Sequence, residues 1–252
     1  MTISPARRSK VPEIVLSFWI IKIAATTLGE TGGDTLSMTF NLGYALSSLI
    51  FAALFAVFVV VQIRANKFHP WLYWGVIVAT TLVGTTMADF ADRSLGIGYF
   101  GGSSLLLAAV IAVLAAWRFT TGSIDASQIT SPTNEAFYWL TILASNTLGT
   151  ALGDLVSDGL NIGFAGGVLI FAAALAIIAA LHFTRKGSPA IIFWAAFILT
   201  RPLGATLGDL LTKPQANGGF DLSRPESSLF IAIFMAAAIL LIPQRAGDHA
   251  AA

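Results

Sequence analysis

Residues 139–154 read WLTILASNTLGTALGD, and the same frame returns as WIIKIAATTLGETGGD at 19–34, WGVIVATTLVGTTMAD at 74–89 and WAAFILTRPLGATLGD at 194–209. Each tryptophan follows an aromatic residue: Phe18, Tyr73, Tyr138 and Phe193. Ten residues after it stands a glycine (Gly29, Gly84, Gly149, Gly204), fourteen after it a small residue (Gly33, Ala88, Gly153, Gly208), and fifteen after it an aspartate (Asp34, Asp89, Asp154, Asp209). A second glycine follows at Gly43, Gly98, Gly163 and Gly218, with Tyr44, Tyr99, Phe164 and, one place later, Phe220 beside it. The tryptophans are 55, 65 and 55 residues apart. Self-similarity at such a period marks an array of one supersecondary unit.

The solvent of that array follows from composition. Of the 252 residues 56% are hydrophobic and 11% charged, whereas soluble domains carry about 25% charged residues. A bilayer core needs about 20 apolar residues per helix, and each unit offers two such stretches, the motif helix and an almost purely apolar second one (46–61, 105–117, 168–181, 229–242). The expected fold is therefore all-α: a pseudo-symmetric polytopic helix bundle of about eight transmembrane helices, from four parallel two-helix repeats. The longer middle interval, with its polar stretch 120–134 and Pro132, marks a joint between a first half, 1–125, and a second half, 126–252, of one membrane domain. Units one and three share Asn41 and Asn161, and units two and four share a base four residues after the aspartate, Arg93 and Lys213, so two duplications are implied.

Lys and Arg counts in the loops set the orientation. Arg7, Arg8, Lys10, Arg64, Lys67, Arg118, Arg185, Lys186 and Arg245 fall on the side of the termini, against Arg93, Lys213 and Arg224 on the other. Both termini are expected in the cytoplasm, in a bacterial inner membrane. The basic start resembles a signal-peptide n-region, but the apolar run behind it holds Trp19, Lys22 and Glu30 and has no cleavage pattern, so it reads as a retained first helix. The tryptophans would lie in an interfacial aromatic belt, with Lys22 reaching the same interface and the aspartates about 22 Å further along.

These Trp, Gly and Asp positions resemble those of a family of bacterial membrane proteins of unassigned function, built from four tandem repeats with two transmembrane segments and a characteristic tryptophan each. The resemblance covers about residues 13–243. It implies the eight-helix topology and supplies no activity.

On the motif helix the aspartate shares a face with the residues eleven, eight and seven places after the tryptophan. Those are Glu30, Thr85, Thr150 and Ala205; Thr27, Leu82, Thr147 and Pro202; Thr26, Thr81, Asn146 and Arg201. If the four motif helices gather inside, as their small-x-x-x-small spacing allows, the polar path Thr26, Thr27, Thr81, Asn146, Thr147, Thr150 and Arg201 converges on one axis. Ionisable groups in a span cost about 3 kcal/mol and face the bundle interior or water, which makes Glu30, Asp34, Asp89, Asp154, Asp158 and Asp209 the candidate cation-binding or translocation residues. Asp89–Arg93 and Asp209–Lys213 are i,i+4 pairs. Glu30 with Asp34 and Asp154 with Asp158 lie one turn apart with no local base, and form the expected metal ligand set. Arg201, near mid-membrane, should pair with an acid such as Glu30 or with an anionic ligand.

The chain has no Cys, and His69, His182 and His249 sit at the cytoplasmic ends. The oxygen ligands left suit H⁺, Na⁺, Mg²⁺, Ca²⁺ or Mn²⁺ and argue against Cu(I) or Zn²⁺. The sequence thus points to a small-cation transporter or channel, for a hard divalent metal such as Mn²⁺ with proton coupling. Alternatives are a carrier of an organic anion or small solute using Arg201, and a non-transporting scaffold. No nucleic-acid partner is expected at a net charge of +1, and no cofactor. No Ser/His arrangement, His-metal motif or nucleotide loop suggests an enzyme.

Overall fold

The structure, a computed structural model, describes residues 10–126, 129, 131–185 and 187–247. Arg7, Arg8, Lys186 and His249 lie outside them. Eight α-helices follow in chain order: α1 Leu16–Asp34, α2 Gly43–Arg64, α3 Pro70–Asp89, α4 Tyr99–Thr121, α5 Pro132–Asp154, α6 Phe164–Phe183, α7 Pro189–Thr212 and α8 Arg224–Leu241. Proline opens α3, α5 and α7 at the first helical position, where its missing N–H has no partner to lose. At α5 the Ser131 hydroxyl also accepts from the Asn134 N–H at 3.2 Å.

In the first three units the α-helix passes at the motif aspartate into a five-residue π-helical turn, Thr35–Thr39, Phe90–Ser94 and Leu155–Gly159. In the fourth, α7 runs on to Thr212 and ends in extended Lys213 (φ −75°, ψ 153°). The connection that follows needs left-handed backbone. Asn41 and Asn161 supply it at φ 55° and 54°, Gly96 takes the equivalent place at φ 70°, and Gly43, Gly98 and Gly163 two residues on have φ 73°, 76° and 76°. That conformation suits Gly and, next, Asn, which explains the repeated glycine and the shared asparagine.

The motif helices form a closed ring, α1 against α3, α3 against α5, α5 against α7 and α7 against α1. Each second helix covers the next unit's motif helix: α2 lies on α3, α4 on α5, α6 on α7, and α8 closes the circle on α1. The repeated small residues make the ring possible. Gly29 seats Thr81, Gly84 the Asn146–Thr147 backbone, Gly149 the Arg201 stem and Gly204 Thr26; one turn on, Gly33 seats Thr85, Gly153 Ala205 and Gly208 Glu30. Every notch thus receives the seventh or eleventh residue of the following unit, and the four interfaces advance in register.

The tryptophans do not form a lipid-facing belt. Trp74, Trp139 and Trp194 are buried, and the aromatic residue before each tryptophan packs on the tryptophan of the next unit: Phe18 on Trp74 at 5.5 Å, Tyr73 on Trp139 at 5.5 Å, Tyr138 on Trp194 at 6.0 Å and Phe193 on Trp19 at 6.0 Å. The hydroxyls of Tyr73 and Tyr138 meet at 2.7 Å. Edge and tilted contacts of this kind add about 0.5–1.5 kcal/mol each beyond area burial, and together they floor the ring.

Outside, α2, α4, α6 and α8 present exposed Leu49, Val57, Leu105, Ile111, Leu169, Ile177, Leu229 and Phe230. Among the described residues six helical stretches are long and apolar enough to cross a membrane: Gly43–Arg64, Pro70–Ser94, Tyr99–Thr121, Phe164–Phe183, Pro189–Thr212 and Arg224–Leu241. The two others, α1 and α5, carry Lys22, Glu30 and Asp34, and Ser145, Asn146, Thr147 and Thr150, buried against their neighbours. The described ends of the chain meet: Glu13 N–H donates to Arg245 O at 3.0 Å and Gly247 N–H to Val11 O at 2.9 Å. Trp74 Nε1 donates to Gln244 at 3.3 Å, so this pairing lies at the aromatic floor.

Candidate functional site

Polar and charged side chains fill the ring from the floor upward. Lys22 is lowest. It is fully buried, with its Nζ 4.1 Å from the centre of the Phe197 ring and 3.5 Å from Asn146 Oδ1. Asn146 Nδ2 in turn donates to Thr80 Oγ1 at 2.8 Å. Lys22 therefore does not snorkel to the interface as its place near Trp19 suggested: its helix is in the inner ring, and its stem is enclosed by the other motif helices.

Arg201 occupies the next level and is 0% exposed. Its Nη2 donates to Glu30 Oε2 at 3.2 Å, Thr85 Oγ1 at 2.5 Å and Thr150 Oγ1 at 2.6 Å, and its Nη1 to Thr26 O at 3.3 Å. One guanidinium from the fourth unit thus ties the first, second and third together across the axis. The acid Glu30 is thus one of its partners, as the sequence offered. Thr85 also bonds Glu30 Oε2 at 3.3 Å.

Above lie the four motif aspartates, all buried. Arg93 bridges Asp89 at 3.1 Å and Asp154 at 3.5 Å; Lys213 bridges Asp209 and Asp34, both at 3.0 Å, and Arg224 reaches Asp34 at 3.5 Å. The motif aspartates of units one and three are therefore paired, with bases from other units, which reading each helix separately could not show. The local pairs Asp89–Arg93 and Asp209–Lys213 exist as well. A polar core of this kind is held by completeness, since removing one member strands a buried charge.

Glu30, Asp34 and Asp209 each place an oxygen within 4.8 Å of the others. The expected ligand set Glu30, Asp34, Asp154 and Asp158 is not the one brought together. Asp154 is held by Arg93, and Asp158 is exposed. Asp158 falls within the turn Leu155–Gly159 at the exposed end of the motif helix, away from the buried core. The polar path is also regrouped. Thr26 donates to Thr200 O at 3.2 Å and Thr81 to Ala25 O at 3.2 Å, tying neighbouring motif helices together. Thr27 and Thr147 turn back onto Ile23 O and Leu143 O of their own helices, and Thr27 lines an apolar groove between α1 and α8. Thr150 and Asn146 face the charged core.

Fold and site together define a multi-pass membrane helix bundle with a charge-paired core along its pseudo-symmetry axis. The family model described as "Repeat of Unknown Function (DUF347)" matches four times, at residues 17–68, 72–123, 137–188 and 192–244. The chain belongs to that family, and each match begins two residues before a motif tryptophan. No curated protein and no solved structure matches the chain.

Proposed function

We propose that the protein moves a small cation across the membrane, as a transporter or channel, and that it is not an enzyme. The observation that carries this reading is the set of buried carboxylates Glu30, Asp34 and Asp209, in a bundle whose outer surface is hydrocarbon-like. Acids at such depth are expensive and mark ion pathways. Their oxygens are donors for hard cations, from protons to a divalent metal such as Mn²⁺. On this reading the joined Tyr73 and Tyr138 hydroxyls and Arg201, bonded to three units, stand in the ion's path, and passage requires the guanidinium to leave Glu30. That engagement of Arg201 with protein partners favours a cation over an organic anion as cargo.

Reconstitution into liposomes tests the reading. Na⁺, Mn²⁺ and H⁺ fluxes are measured for the parent and for Glu30→Gln of equal folded yield. The expected result is a cation flux that Glu30→Gln lowers by about tenfold or more, as removal of a buried charge at a conducting site should. Absence of flux for every ion, or parental flux in Glu30→Gln, would sink the idea.

All four units are proposed to cross the membrane twice in the same sense, α1 and α5 included. Gly29 and Gly33 lie beside Thr81 and Thr85 at the same depth as the apolar span α3, which supports a crossing by α1. The Lys and Arg asymmetry supports a bacterial inner-membrane protein with both ends cytoplasmic. Reporter fusions after Arg64 and after Arg245 should both report cytoplasm, and one at Asp221 the outside. An external signal after Arg245 would overturn the orientation.

A further inference from the structure

We infer that the Lys213 ammonium is a tethered stand-in for the cargo, and that the cargo is therefore a monovalent cation such as Na⁺ or K⁺; this rests on the cation reading above. Lys213 Nζ sits 3.0 Å from Asp34 Oδ2 and 3.0 Å from Asp209 Oδ1, within the acid group that Glu30 completes. A lysine ammonium is a compact point charge on a flexible stem, the side chain best suited to imitate a small ion.

The charge count of this acid group supports a monovalent ion. Glu30 is held by Arg201, Asp34 by Arg224 and Lys213, and Asp209 by Lys213, so three acids face three bases. Replacing the ammonium by one monovalent ion leaves the cluster neutral, while a divalent ion leaves an excess positive charge in a buried setting, which is strongly unfavourable. Asp34 Oδ1 is buried and makes no hydrogen bond, so coordinating capacity remains for an ion that the ammonium does not use.

The opposite side of the ring is the internal control. Arg93 makes the matching bridge between Asp89 and Asp154, yet the eleventh residues there are Thr85 and Thr150, so that position adds no carboxylate to this pair. The carriers differ too. Arg93 lies within a π-helical turn, whereas Lys213 follows the end of α7 in extended backbone, fixed by Lys213 N–H to Asp209 O at 2.8 Å and Asp221 N–H to Lys213 O at 3.0 Å. The backbone is anchored, so any release is a swing of the flexible lysine stem; its side chain is 10% exposed, against 27% for Arg93.

The test is thermal stabilisation of the full-length, detergent-solubilised protein by NaCl, KCl, MnCl₂ or MgCl₂ against choline chloride, for the parent, Lys213→Met and Arg93→Met. Removing a competing occupant raises apparent affinity by the reciprocal of the fraction of time the site stood free; with the ammonium in place about 90% of the time, Na⁺ or K⁺ should stabilise Lys213→Met at about tenfold lower concentration than the parent. Arg93→Met should show no such gain. Equal responses of parent and Lys213→Met to Na⁺ and K⁺ would remove Lys213 from the site. A gain with Mn²⁺ or Mg²⁺ but not with Na⁺ or K⁺ would overturn the monovalent assignment and leave the cation reading standing; no response to any cation in either protein would defeat that reading itself. Should Lys213→Met fail to fold, the parent carries the test: Na⁺ or K⁺ should speed acylation of Lys213 by a water-soluble amine reagent, read by mass spectrometry. An unchanged rate overturns the proposal.

Discussion

Gly204→Leu is expected to abolish the folded protein, whereas Ala173→Leu on the exposed side of α6 should leave yield and melting temperature unchanged. A Cβ at Gly204 would collide with the Thr26 side chain and come within 2.9 Å of the Thr26 carbonyl carbon. Side chains can swing aside, but backbone in a packed helix cannot. Gly84 makes the same point, since its Cβ would come within 2.9 Å of the Asn146 carbonyl carbon and 3.0 Å of the Thr147 nitrogen. Overpacking costs about 1–3 kcal/mol in cores that can adjust, and here the whole α7–α1 seam must open. The closed ring makes the damage global, because a parted α7–α1 contact also displaces α8 from α1. Size-exclusion profiles of detergent extracts measure the outcome. If Gly204→Leu behaves like Ala173→Leu, the motif helices do not form the inner ring.

The repeat and the inner position of the motif helices were legible because both are written in spacing within one helix: glycines four residues from a small neighbour, acids fifteen from a tryptophan. Partnership between units was not. Nothing local tells that α2 packs on α3 and not on α1, or that Lys213 reaches Asp34 across the closure of the ring. The tryptophans were misplaced for a related reason, since an aromatic residue near a helix end suits an interfacial belt equally well until the next unit's Phe or Tyr is known to cover it. Asp158 was assigned to the buried face by its spacing from Asp154, and spacing alone does not tell that the motif helix has reached its exposed end there. A signal for the pairing of Asp154 was available in the unit alignment: bases follow the aspartates of units two and four only, and in a ring each such unit has an unpaired neighbour beside it. Arg93 uses the one and Lys213 the other.

Arg201→Met should destabilise the protein by about 3–5 kcal/mol, the usual loss when one partner of a buried ion pair is removed. Methionine fills much of the same volume, so the loss measures the stranded Glu30 carboxylate and the unpaired Thr85 and Thr150 hydroxyls more than a cavity. Glu30→Gln should cost less, because the guanidinium keeps its two threonine hydroxyls and the Thr26 carbonyl. The double variant Arg201→Met/Glu30→Gln then carries no buried charge at this level apart from Lys22, and it should be more stable than Arg201→Met alone. Residues in contact within one network couple by about 0.5–3 kcal/mol, and the upper end is expected here. Melting temperatures of the four proteins in one detergent give the cycle. Additive losses would mean that Glu30 and Arg201 do not hold each other as described. Flux through the same four proteins then separates packing from transport: with the fold recovered and Glu30 still neutral, the double variant should remain unable to pass cations. Parental flux from a well-folded double variant would make this pair a structural clasp and place the ion path elsewhere.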